Sequence, residues 1–434
     1  MKINPEEYRP RLADAQLAFK LQTFGATVIV GPKWCGKSTT AAQQSKSALM
    51  LQDPDFRESY LETAAIKPSL LLKGERPRLL DEWQDVPALW DAVRLVVDAE
   101  RGQGLFILTG SVSFNPNAVR HSGTGRISRL KMHSMSLFES GESNGGVSLR
   151  ALFDHPETDI DGIRSPLSLD ELVFAVCRGG WPAALDLKTD ASRLAVAKDY
   201  VANLCESDIS TVDGVERNPA LARAILRSYA RNLSTLADSA SIRRDVLATM
   251  ASCSQSTLDS YLKAFRKLFT IEDADAWRPS IRSATAVRAG KKRELADPSI
   301  AAAALGLAPA AFATDLRTFG FFFENLVIRD LRAYSAALGG TVSHYRDRYG
   351  LEADAVLHLE DGRYALVEVK LGGRKIEEGA AHLIELRDLI RKHNQNEVQV
   401  PLREPDILLV ITGTDMAYTR PDGVKVVPIG CLRD

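Results

Sequence analysis

Five cysteines are all that this 434-residue chain contains, at positions 35, 177, 205, 253 and 431, and no two share a C-x-x-C spacing. Scattered in this way and without histidine partners, they exclude a disulfide framework and a zinc module and read as reduced thiols. Cys35 falls inside a glycine-flanked loop, where it reads as a tolerated small residue. Long hydrophobic runs are also missing. The longest, residues 300–312, falls short of a membrane span and contains Pro309. The first twenty residues mix charges and have no apolar signal core, so the expectation is a cytoplasmic protein without a membrane partner. Neither sign of charge dominates: 55 Lys and Arg stand against 56 Asp and Glu, a formal net charge of −1. That balance argues against a general polyanion binder.

The charge is unevenly spread, however. From Arg217 to Arg293 fifteen basic residues face six acidic ones, so that segment is +9 and the remainder −10. Charged residues at 26% and hydrophobic residues at 45% are ordinary for a globular protein. The length is too great for one core and predicts roughly two to four domains.

Residues 24–40, FGATVIVGPKWCGKSTT, organise the rest. Ala26 to Val30 is a short β-branched run of the kind that forms a buried parallel strand. It leads into Gly31, Pro32, Lys33, Trp34, Cys35, Gly36, Lys37, Ser38 and Thr39, the phosphate-loop pattern G-x-x-x-x-G-K-[ST]. In such a loop the glycines let backbone N–H groups surround a phosphate, and the start of the following helix adds its positive end. Lys37 is then expected to reach the β- and γ-phosphates of ATP, and Ser38 to hold Mg²⁺. The helix after the loop is expected to run to Met50.

Arg78-Leu79-Leu80-Asp81-Glu82 is an apolar step ending in two acids, as in a Walker B strand. Asp81 would accept from Mg²⁺-bound water, and Glu82 would orient or deprotonate the attacking water. Leu89, Trp90, Val93, Val96 and Val97 recur at helical spacing and read as core. A strand at 105–108 delivers Thr109-Gly110-Ser111, making Thr109 and Ser111 sensor candidates for the γ-phosphate or the lytic water.

The run LLDEWQDVPALW followed by FILTGS resembles bacterial ATPases of the AAA+ superfamily that carry the C-terminal domain of unknown function 4143. Gly125-Arg126, Ser136-Leu137-Phe138-Glu139 (with Met135 where the family has proline) and Gly179-Gly180-Trp181-Pro182 extend that resemblance over most of the chain. Arg126 and Arg129 follow a turn at 121–125, and an arginine there, from its own or a neighbouring subunit, would stabilise the transferred phosphoryl group. Homo-oligomers are common in this superfamily.

The fold expected is α/β: a P-loop NTPase parallel-sheet domain over 1–165, a helical lid or connector over 166–235, a basic winged-helix-like segment over 236–300, and a PD-(D/E)xK nuclease-like α/β domain over 301–434. Helices near 242–250 and 256–268, then extended chain at 269–271 and the basic run 288–293, suggest the winged helix, and DNA contact through 217–293 is the partner it implies. The final domain places Glu324 in an apolar helix. Strand alternation sets Asp354, Val356 and His358 on one face of one strand, and Glu368 with Lys370 on another. Glu324, Asp354 and Glu368-x-Lys370 resemble the restriction-endonuclease-like signature. In that signature the carboxylates hold Mg²⁺ near a scissile phosphate and the lysine orients water or stabilises the phosphorane. Two functions remain open: an Mg²⁺-dependent ATPase whose nucleotide state controls a nuclease-like domain, or a nucleotide-dependent switch whose C-terminal domain is a catalytically inactive interaction module. A small-molecule kinase fits less well, because no acceptor site is evident.

Overall fold

A computed structural model describes residues 8–111, 121–278, 290–395 and 401–434. Its contacts separate into two compact units, Met1–Ser134 with Lys267–Phe269 and Met135–Arg266 with Thr270–Asp434. Arg282 and Arg288 of the basic segment lie outside the described residues.

In the first unit, α1 (Leu12–Thr23) precedes β1 (Ala26–Val30), α2 (Lys37–Gln43), β2 (Ser47–Met50), α3 (Arg57–Ile66), β3 (Arg78–Asp81), α4 (Ala88–Glu100), β4 (Phe106–Gly110) and β5 (Ile127–Lys131). The strands form one sheet in the order β2-β3-β4-β1-β5, and every pair is parallel. Parallel neighbours need crossovers, which the helices supply, and strands covered on both faces are uncharged and β-branched for that reason. β1 meets this requirement, with Ala26, Val28 and Ile29 in the core. Leu89, Trp90, Val93 and Val97 of α4 close the same core, and the Trp83 and Trp90 rings lie 4.8 Å apart.

One sequence expectation changes here. The helix after the loop ends at Gln43, and residues 47–50 form an edge strand paired with β3. Ser47-Ala48-Leu49-Met50 has weak preference for either state, and the unpaired edge of β3 decides it. The first compact unit runs to Ser134. The chain from Met135 onward belongs to the second unit, where β6 (Val147–Ser148) pairs with the C-terminal Leu432–Arg433.

After β6 the second unit continues with helices α5 (Leu149–Asp154), α6 (Leu169–Arg178), α7 (Pro182–Leu185), α8 (Asp190–Asn203), α9 (Ile209–Thr211), α10 (Pro219–Arg231), α11 (Ser239–Leu247), α12 (Gln255–Lys267), α13 (Pro298–Leu305) and α14 (Pro309–Ala313). Single antiparallel bridges join Ile271 to Leu295 and Ala274 to Lys292, a narrow ribbon after α12. Then come α15 (Leu316–Ala337), β7 (Gly340–Arg346), β8 (Glu352–Leu359), β9 (Tyr364–Lys370), α16 (Ile376–Asn394), β10 (Ile407–Thr412), β11 (Tyr418–Thr419), β12 (Lys425–Pro428) and β13 (Leu432–Arg433). Strands β7 to β12 form a mixed sheet ordered β11-β12-β10-β9-β8-β7, antiparallel through β7-β8-β9 and parallel from β9 to β10 to β12. Among the described residues no helix is long and apolar enough to cross a membrane.

Several residues of the family-like motifs meet at one buried node of the second unit. Met135 N donates to Gly180 O at 2.7 Å, and Gly180 N to Asp297 Oδ2 at 2.9 Å. Arg329 bridges Asp297 and Asp330, at 3.2 and 2.7 Å, and Leu137 N donates to Asp330 at 3.0 Å. A Cβ on Gly180 would stand 2.1 Å from Met135 O, so only glycine fits there. Trp181 is fully buried, stacks on Tyr200 and donates to Ser299 Oγ, which makes it a core anchor.

Candidate functional site

The C-terminal ends of β1, β3 and β4 share one edge of the first sheet. Register fixes this: Val30 lies beside Gly110, and Leu80 beside Leu108, so Gly31, Asp81 and Thr109 emerge together. β4 lies between β1 and β3, which brings the candidate sensor residues next to both strands.

The loop itself is tightly held. Gly31 has φ 154°, and a Cβ there would come within 2.2 Å of Met132 O. Gly36 is left-handed, at φ 98°, where it turns the chain into α2. Trp34 is also left-handed, at φ 64°, and its side chain is exposed, while Cys35 is fully buried. Lys37 is buried, and its ammonium donates to the loop carbonyls Gly31 O at 3.1 Å and Pro32 O at 2.7 Å. Arg11, which the sequence reading did not single out, braces the loop. Its guanidinium donates to Cys35 O at 2.6 Å and to His133 O at 2.8 Å. Tyr8 OH ties α1 to α2 by donating to Asp14 at 2.6 Å and lying 3.0 Å from Thr40 Oγ1. Neither anchor has a motif; only the folded chain brings them to the loop.

Thr109 Oγ1 donates to Asp81 Oδ1 at 2.6 Å and accepts from Glu82 N at 3.2 Å. Ser111 Oγ donates to Glu82 Oε2 at 3.3 Å, and Gln84 Nε2 donates to the same oxygen. Glu82 stands at φ 54°, a conformation an L residue adopts at a cost and one that aims its carboxylate at the strand edge. Gln84 was missed by sequence reasoning, because glutamine after a Walker B pair carries no pattern of its own. Among the described residues neither Asp81 nor Glu82 has an ion-pair partner. Ser38 and Asp81 offer a hydroxyl and a carboxylate, hard oxygen donors of the kind Mg²⁺ takes, so the residues present fit that ion.

Arg126 is a correction. It precedes β5 at Ile127, which is in register with Ala26, so it lies at the N-terminal edge of the sheet, away from Gly31 and Asp81. Its guanidinium pairs with Asp98 at 2.7 Å. Arg129 is exposed on the edge strand β5.

In the second unit Glu324 and Glu368 each lie near Asp354, and each of the three acids faces a lysine. Among the described residues no group of three His, Cys, Asp or Glu side chains is placed to hold a metal. Lys292, entering from the ribbon, pairs with Glu324 and with Asp354 Oδ1 at 2.9 Å. Lys370 pairs with Glu368 at 2.5 Å and lies 4.0 Å from Asp354. Val369 N donates to Asp354 Oδ2 at 2.9 Å, and His382 lies 3.4 Å from Glu368. Burial, reinforced by the Asp354 charge, pushes the Glu368 carboxyl up to about 9 and raises Glu324 well above the carboxylate range. Asp354 is also buried, but Lys292 and Lys370 outweigh burial and lower it.

Much of the basic segment is paired within the chain. Arg217 pairs with Asp213, Arg223 with Glu206, Arg231 with Asp245, Arg266 and Arg293 with Asp273, Lys291 with Asp275, and Lys292 as described.

Three family models match: an AAA domain over residues 23–140, a domain of unknown function (DUF8612) over 169–311, and a domain of unknown function (DUF4143) over 319–432. Uncharacterized proteins of Mycobacterium bovis and Mycobacterium tuberculosis are each 23% identical over 371 residues, covering 83% of this chain and 73% of theirs. Among solved structures, the Walker-type ATPase PABY2304 of Pyrococcus abyssi is 14% identical with a TM-score of 0.42, over 70% of this chain and 96% of its own. The Aeropyrum pernix ORC1 protein, solved in complex with DNA, is 12% identical with a TM-score of 0.29, over 72% of this chain and 97% of its own.

Proposed function

From a chain that carries an AAA domain ahead of a domain of unknown function 4143, we propose an ATP hydrolase that uses the 31–39 loop. Lys37 exchanges its two carbonyl acceptors for β- and γ-phosphate oxygens, and the backbone of Gly31 to Gly36 lines the phosphate chain. Ser38 and, through water, Asp81 would hold Mg²⁺, whose charge offsets that of the phosphates. Glu82 takes the proton of the attacking water, with Ser111 and Gln84 fixing its carboxylate. Thr109 holds Asp81 in place. The observation that carries this reading is the shared edge: loop, acid pair and sensor residues leave three adjacent parallel strands on one side.

The C-terminal domain is the effector in this proposal. Its order of helix, three strands, helix and strand, from α15 to β10, supports a nuclease-like reading of the fold. The two lysines among its acids favour the reading in which it serves as a non-cleaving interaction module and ATP turnover resets its state. DNA contact through 217–293 has less support, since seven of its basic side chains already have acidic partners. Lys37→Ala tests the main claim: ATP turnover should fall to background with the fold intact by circular dichroism. Undiminished turnover contradicts it.

A further inference from the structure

The acid cluster of the second unit is reachable and yet unsuited to a metal. A cavity of about 230 Å³ is lined by Lys292, Glu324, Asp354, His344 and Arg346 among others, so a hydrated ion has a way in. Access is therefore not what excludes it. Lys292 is fixed by its backbone, which exchanges both hydrogen bonds with Ala274, at 3.0 and 2.9 Å. From that anchor its ammonium stands between Glu324 and Asp354. The second oxygen of Asp354 accepts from Val369 N, and Glu368 is taken by Lys370. A divalent ion bound by these acids would need oxygens at roughly 2.0–2.6 Å and would have to displace a buried ammonium already paired with two of them.

We propose that Lys292 is the resident cation of this cluster: it stands where a nuclease-like site would place its divalent metal, and it keeps the domain from acting as a metal-dependent phosphodiesterase. The inference rests on the nuclease-like reading of the C-terminal fold and is independent of the ATP site. Lysine and a divalent ion are alternatives here because each satisfies the same two carboxylates. The lysine does so with one charge and without any Lewis-acid capacity or bound hydroxide.

The test titrates Mn²⁺ into the nucleotide-free full chain, with bound metal read by electron paramagnetic resonance. A Lys37→Ala background silences the other site. Wild type should bind no Mn²⁺ that Asp354→Asn removes, whereas Lys292→Met should gain a site at least about tenfold tighter, abolished by adding Asp354→Asn. Stoichiometric, Asp354-dependent Mn²⁺ binding by wild type overturns the proposal, as does a folded Lys292→Met protein that gains none. If Lys292→Met does not fold, Lys292→Gln replaces it, and the wild-type titration stands in either case. Supercoiled plasmid added to the Mn²⁺-loaded variant separates the two claims. Metal gain without nicking supports Lys292 as the resident cation while counting against the nuclease-like reading of the fold; ATP turnover bears on neither.

Discussion

Two groups of acids in this chain look alike in sequence and differ in their neighbours. Asp81 and Glu82 accept from neutral side-chain donors, the hydroxyls of Thr109 and Ser111 and the amide of Gln84. Asp354 and Glu368 accept from ammonium groups as well. Neutral donors orient a carboxylate and leave its charge for a cation that arrives with a ligand, whereas a resident ammonium neutralises it in advance. An acidic motif therefore reports chemistry only once the source of its counter-charge is known.

The sharpest way to break this comparison is Glu82→Gln. It keeps the shape and removes the base, so hydrolysis should fall roughly a thousandfold while ATP binding persists. Glu368→Gln should leave hydrolysis unchanged. Equal losses in both would erase the distinction between the two groups.

Next in size is the buried node of the second unit. Asp330→Asn leaves Arg329 short of an acceptor and should cost about 3 kcal/mol in denaturant unfolding. Its pH dependence carries a sign. Burial pushes the Asp330 carboxyl up to about 6 from the ordinary 3.8, against the pull of Arg329. The folded chain thus holds this proton more tightly than the unfolded one. That contribution is fully present below the ordinary value and lost as pH rises through about 6. Wild type should show this decline, and Asp330→Asn, though less stable throughout, should lack it.

Thr109→Val removes the hydroxyl on Asp81 and should slow hydrolysis about tenfold, near 1.4 kcal/mol, as expected for a hydrogen bond to a charged acid. The smallest effect belongs to Arg126→Ala, which should leave turnover per protomer within about twofold because the side chain is exposed on the far edge of the sheet. A large loss, appearing only at concentrations where the protein self-associates, would instead assign Arg126 to a neighbouring subunit's site.

What could be read from sequence follows the same division. The loop, the acid pair and the 109–111 tip are local patterns in which strand, turn and chemistry lie within a few residues, and the first sheet carries them as expected. Glu324, Asp354 and Glu368 could also be picked out, because strand alternation and one misplaced acid in an apolar helix are visible in sequence. Their partner Lys292 could not. It lies 62 residues from Asp354 and belonged to a basic run that charge counting assigned to a surface. The tie between the 143–148 stretch and the 432–433 strand was hidden likewise: Ser143 Oγ donates to Leu432 O, 289 residues on, a pairing no local pattern announces. Arg11 and Gln84 were missed because bracing a loop or steadying a carboxylate requires no particular spacing.

Hydrogen–deuterium exchange on the full chain with and without ATP and Mg²⁺ tests the central claim most directly. The account predicts slowed exchange in peptides covering 31–39, 81–84 and 109–111, with no protection of the acid-bearing strands at 352–359 and 364–370 arising from nucleotide contact in a Lys37→Ala control. Protection of 352–370 that survives Lys37→Ala, with 31–39 unchanged in wild type, would place the nucleotide in the wrong half of the chain and contradict it.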